Sequence, residues 1–205
     1  MKNLKWLIIL LVIITIFNFT INFIGLKFSD ILSQSIPKSD KVKGKSLPEY
    51  FVTKKSYFEK QEKNQCAGFS SAYVLRCLKK DVKGKENYNN LKHKFSNGYV
   101  MPQALVEVFK KYKYNSDIYK GDLNTLKLRL AKNNNPIVVL IGHRWNWQHY
   151  VTVIGYDEKN IYIYDSNNNT DNSKGYNRII SNEEFVDLWE NEIPFFEKIY
   201  FVVDK

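Results

Sequence analysis

Cysteine, histidine, glycine and proline are all scarce in this 205-residue chain. Two cysteines cannot build the disulfide framework of a small secreted domain. Three widely spaced histidines offer no His-Glu-x-x-His pattern, and no glycine-rich phosphate loop occurs, so no metal or cofactor is expected. Nine glycines and five prolines are too few for a fibrous or low-complexity chain. Acidic residues are outnumbered, 21 against 31 Lys and Arg, giving a formal net charge of +10. No basic helix with interleaved aromatics accompanies that charge, so nucleic acid is not expected as a partner. The length suits one domain, and 44% hydrophobic with 15% aromatic residues argues against global disorder.

The apolar residues are concentrated at the start. Trp6–Leu26 is uncharged over 21 residues, and a membrane-spanning helix needs about 20. The polar Asn18, Thr20 and Asn22 weaken its second half, so a cleaved secretory signal is the alternative, with Ser33-Gln34-Ser35 as the nearest small-x-small site. A buried core helix is the third reading. Lys2 and Lys5 precede the run and favour a cytoplasmic N-terminus with the remaining chain outside. The expected location is therefore the cell membrane, single-pass, with an extracytoplasmic body, or secreted if the start is removed. Seven lysines lie within residues 1–48, beside the membrane, where anionic headgroups or wall polymers would attract them. The expected organisation is an anchor or signal over residues 1–26, a linker over 27–48 with Pro37 and Pro48, and a folded body over 49–205.

Within the body, helical spacing predicts helices over Ala67–Leu78, Tyr88–Phe95, from Pro102 through Phe109, and over Asp122–Lys132. Proline at 102 suits a first helical turn. The period then changes. Pro136–Gly142 reads as a buried strand, Tyr150–Tyr156 and Ile161–Tyr164 as a hairpin, and Ile199–Asp204 as a last strand. Helices before strands is the α+β order.

Three residues on these elements could carry chemistry together. Cys66 begins the first helix, where unpaired N–H groups and the dipole favour a thiolate. A thiolate nucleophile needs a base and a group to orient that base. His149 opens the first hairpin strand and Asp165 follows the second. Their agreement depends on register. Pairing Tyr156 with Ile161 puts Asp165 on the face opposite His149. Pairing Tyr156 with Asn160, around a loop of Asp157, Glu158 and Lys159 with Asn160 as a left-handed bulge, puts Asp165 diagonal to His149. The second register is expected, with Asn167, directly opposite His149, as the competing orienter. Cys77 reads as core, because a helix separates it from Cys66 by about 16 Å at 1.5 Å per residue. His143 lacks a matching carboxylate, and His93 reads as exposed among lysines. Trp145 and Trp147 could wall a substrate groove.

The order of cysteine, helices, histidine and aspartate resembles the papain-like cysteine peptidases, and more specifically the peptidase C39-like family. The features that carry the resemblance are Cys66 with its following small and aromatic residues, Gly98-Tyr-Val-Met-Pro-Gln-Ala-Leu105, and Asp122-Leu through Leu130. Asn135-Pro-Ile-Val-Val-Leu-Ile, His149-Tyr-Val-Thr-Val-Ile-Gly-Tyr-Asp157 and Asp165-Ser complete it, spanning about residues 60–165. The resemblance implies an α+β papain-like fold and a peptide or protein substrate. It implies Cys66 as nucleophile, His149 as base and Asp165 as orienter. It also implies a glutamine shortly before the nucleophile that stabilises the oxyanion. Gln61 is that candidate, five residues before Cys66 where six is usual; Lys60 stands at the sixth. An acyl or amide transferase with the same triad, a non-catalytic peptide-binding module, and a protein acting through its basic membrane-side stretch are the alternatives.

Overall fold

The computed structural model describes residues 2–144 and 146–204. The chain opens with helix α1 (Lys2–Phe23) and a short α2 (Phe28–Leu32). Strand β1 (Lys38–Ser39) and β2 (Tyr50–Phe51) precede α3 (Cys66–Cys77), α4 (Gly84–Asn90) and α5 (Gln103–Lys111). Then follow β3 (Asn115–Lys120), α6 (Leu123–Asn133), β4 (Ile137–His143), β5 (Trp147–Tyr156), β6 (Asn160–Tyr164), β7 (Arg178–Ser181), α7 (Asn182–Glu190) and β8 (Ile199–Asp204). One sheet runs in the order β1-β3-β8-β4-β5-β6-β7, with β2 also paired to β5. The fold is mixed α+β with one sheet, and β3 interrupts the expected run of helices.

Local chemistry explains most elements. Asp122 caps α6 by accepting from Thr125 N, while Asn134 ends it in the left-handed region. Pro102 sits at the N-cap of α5, just ahead of Gln103. The helix expected over Tyr88–Phe95 lies instead at Gly84–Asn90, because Leu91 is extended and His93 takes φ +52. Along β4 alternate residues face opposite ways. Val138 and Leu140 pack with α3 and α5 residues such as Leu105 and Phe109, whereas Val139 and Ile141 pack with Leu126, Leu130 and Trp189. The sheet is thus buried on both faces, and its core strands read as continuous apolar runs.

Helix α1 stands apart from this core. Leu4–Phe23 has mean hydropathy 2.3 and is long and apolar enough to cross a membrane by length and composition. Residues 27–48, expected as a linker, lie against the body. β1 pairs parallel with β3. Asp40, whose side chain is fully buried, receives both Nε (2.7 Å) and Nη2 (2.8 Å) of Arg129 and the Tyr200 hydroxyl. Burial alone would raise the Asp40 pKa, but these donors hold it down at about 2.

Candidate active site

Cys66 is the first residue of α3 and is buried at 6% exposure. The helix is fixed against β5 by Ser70, whose hydroxyl donates to the Tyr150 carbonyl at 2.9 Å. At its other end, Arg76 donates to Glu59 and to the Val82 and Tyr57 carbonyls. Gly68, two residues after Cys66, lets α4 approach: a Cβ there would sit 2.5 Å from the Tyr88 Cα. Cys66 is thereby delivered to the edge of β5 beside His149.

His149 is 2% exposed, and its Nε2 lies 2.7 Å from Asp165 Oδ1. With Nε2 taken, Nδ1 is the nitrogen left for the Cys66 side chain, which lines the same cavity. Burial alone would lower the His149 pKa. The neighbouring Cys66 side chain and the hydrogen-bonded Asp165 carboxylate outweigh it and raise it to about 10. Asp165 moves the other way. Its burial is overridden by His149, by the Asn167 N–H at 2.8 Å and by Arg178 Nη1 at 3.0 Å from Oδ2, holding it at about 2.

The register that brings these two together is not made where the sequence suggests. Near the turn Tyr156 pairs with Ile161 and Gly155 with Tyr162, the register that would separate the faces. A shift between Val153 and Gly155 then restores Val153 opposite Ile163 and Thr152 opposite Tyr164. The extra residue is therefore Ile154, inside β5, and not Asn160 in the loop. The Ile154 carbonyl accepts from Val52 N at 2.9 Å, so β2 uses the bulge as an attachment point.

A cavity of about 140 Å³ joins Gln61, Asn64, Cys66, Trp147, His149 and Asn167. Gln61 is 8% exposed; its Nε2 donates to Asn167 Oδ1, and its Oε1 is buried without a hydrogen-bond partner. Lys60, at the usual spacing, is exposed. Asn167, the competing orienter, thus serves Gln61 with its side chain and Asp165 with its N–H. Trp147 lies with its ring centroid 5.7 Å from that of His149. Trp145 is outside the described residues. His143 is exposed and does not line this cavity; its ring lies on the Trp147 side, 6.4 Å between centroids. Cys77 is buried among core side chains, and burial pushes its thiol up to about 11. No group of metal-ligating side chains forms among the described residues. Sequence reasoning missed Arg178, although it is one of only four arginines in a lysine-rich chain, and arginine's planar fork suits carboxylates.

The model of the Peptidase_C39 like family matches residues 53–192, which contain Cys66, His149, Asp165 and Gln61. The chain belongs to the Peptidase_C39 like family. No curated protein matches it. Among solved structures, a putative C39-like peptidase from Bacillus anthracis is 15% identical with TM-score 0.60, covering 80% of this chain and 99% of that one. A double glycine motif protease from an AMS/PCAT transporter, in complex with its leader peptide, is 18% identical with TM-score 0.52, covering 79% and 99%. The Carica candamarcensis cysteine protease CMS1MS2, in complex with E-64, is 13% identical with TM-score 0.51, covering 78% and 99%. At these identities the likeness is one of fold: this C39-like chain is papain-like in architecture.

Proposed function

We propose that the chain is a cysteine peptidase, anchored in a membrane by α1 with its body outside the cytoplasm. The observation that carries the reading is one small cavity holding Cys66 and His149, with Asp165 hydrogen-bonded behind the imidazole. Cys66 attacks the peptide carbonyl carbon as a thiolate, forming a C–S bond. His149, as imidazolium, gives its proton to the departing amine as the C–N bond breaks. Water then attacks the thioester, His149 takes a proton from it, and the carboxylic acid leaves with the thiolate restored. Asp165 and Arg178 keep the imidazole oriented.

Gln61 is the side-chain donor for the oxyanion, beside the first backbone N–H groups of α3, which lack intrahelical acceptors. Joint rotation of the two facing amides turns Asn167 into the donor and Gln61 Oε1 into its acceptor. That satisfies the orphaned oxygen and frees Gln61 Nε2 for the substrate. A peptide substrate accords with the family relative bound to a leader peptide.

The test is cleavage of a mixed peptide library by the full chain in detergent micelles, read by mass spectrometry. New termini with wild-type protein that vanish with Cys66→Ala support the reading. Identical spectra from the two proteins contradict it.

A further inference from the structure

A second, larger cavity of about 430 Å³ also opens beside Cys66. Most of its wall is formed by the body, with Leu140 and Tyr150 of the sheet. Ile24, Leu26 and Ile31, from the segment that follows the apolar helix, complete that wall.

That segment is fastened at several points. The Ile24 carbonyl accepts from Ser96 N at 2.8 Å. Gly25, at φ +85, lies so close that a Cβ would be 2.6 Å from Ser96 N. Asp30 Oδ1 is 2.8 Å from His93 Nδ1, and His93 Nε2 is 3.0 Å from Glu107 Oε1 on α5. Contrary to the expectation of exposure, His93 is buried at 9%, because it bridges these two carboxylates. Ser35 Oγ donates to Gln103 Oε1 at 2.8 Å, and Gln103 N donates to Gln34 Oε1 at 3.2 Å. Leu26 is consequently 3% exposed. A stretch that were only a tether would need none of these bonds.

We propose that the segment from Ile24 to Ser35 is part of the substrate site, with Ile24, Leu26 and Ile31 closing an apolar subsite that selects a peptide side chain next to the scissile bond. This rests on the peptidase reading. The ligand follows from the wall: apart from Asn64, Asn97 and Gln148 it is largely aliphatic and aromatic around a space contiguous with the nucleophile, which favours an apolar side chain over a charged one. Side-chain size is then set in part by residues that precede the body, and loss of the segment would open the subsite to solvent.

The test uses the full chain in detergent micelles with peptide mixtures randomised one position at a time. Leu26→Ala and Ile31→Ala widen the subsite, and Ile31→Trp narrows it. At one substrate position, the kcat/KM ratio of aromatic over small aliphatic side chains should rise roughly tenfold in the alanine variants and fall in the tryptophan variant. Iodoacetamide should still label Cys66 faster than Cys77 in each variant. Ile31 is half-buried, so its variants keep the test open if Leu26→Ala unfolds. Cleavage with unchanged preference at every position overturns the inference and leaves the peptidase reading standing. No cleavage by the wild-type chain, with Cys66 labelled no faster than Cys77, overturns both.

Discussion

His149 and Asp165 meet on one face of the sheet because Ile154, between them in the ladder, is bulged out of register. Side chains alternate along a strand, so one extra residue moves every later pair to the other face. Asp165 then falls diagonal to His149, and Arg178 on the neighbouring strand reaches its second oxygen.

The pH profile of activity should report this pair. The Cys66 side chain and the Asp165 carboxylate raise the His149 pKa above its ordinary value of about 6.5, so the imidazolium persists beyond neutral pH. If that imidazolium is the proton donor, kcat/KM should hold above pH 7 and fall only at alkaline pH. Asp165→Asn removes one of the two groups, the other being Cys66, that raise the His149 pKa. The alkaline limb should therefore move to lower pH by at least about one unit; an unmoved limb would deny Asp165 its orienting role.

Gln61→Ala should lower kcat by roughly 10²-fold with a smaller effect on KM, the usual cost of losing an oxyanion donor. Asn167→Asp should also lower kcat, because a carboxylate only accepts and would hold Gln61 Nε2 permanently. Steady-state kinetics on one cleaved peptide separates kcat from KM. A pure KM effect in both variants would assign this amide pair to substrate binding instead.

Gly68→Ala should destabilise the chain by about 2–3 kcal/mol in chemical denaturation, since the new Cβ meets the Tyr88 backbone, which cannot rotate aside. A shift below about 0.5 kcal/mol would mean that α4 yields easily.

Asp40→Asn should cost about 3 kcal/mol at pH 7 by leaving Arg129 without its counter-charge. The folded pKa of Asp40 is near 2, below its unfolded value of about 3.9. Its contribution is present above about 4 and disappears as pH falls through 2, so wild type and variant should converge at acid pH. A gap that persists there would make the contact non-ionic in origin.

Much of this was legible in the sequence, for reasons that can be named. Cys66, His149 and Asp165 lie at the ends of elements with clear periodicity, so spacing marked them as candidates, while their expected roles came from the family resemblance. Asp122 and Pro102 marked helix starts because capping is local chemistry. The bulge was misplaced because a turn sequence, with Asn160 tolerant of positive φ, gives a local signal. By contrast, the Ile154 carbonyl takes its hydrogen bond from Val52 N in a distant segment, which no local pattern announces. His93 and Asp40 were opaque for the same reason. Each stands among lysines in sequence, and only the tertiary approach of Glu107 or Arg129 reveals its partner. Strand β7 and helix α7 follow an asparagine-rich loop whose Asn177 amide pairs with the Asp165 backbone, a contact no pattern announces.

Topology has its own check. Lys2 and Lys5 before an uncharged helix predict that protease added to intact cells digests the body. Protection until lysis would place it in the cytoplasm.

The most direct test of an activated Cys66 is its reactivity beside that of Cys77 in one folded molecule. Iodoacetamide at pH 6, with peptide mapping over time, should label Cys66 quickly and Cys77 only after unfolding, since burial holds the Cys77 thiol protonated to about pH 11. His149→Ala should slow labelling of Cys66, and Asp165→Ala should slow it less. Equal, slow labelling of both cysteines, unchanged by His149→Ala, would contradict the peptidase account.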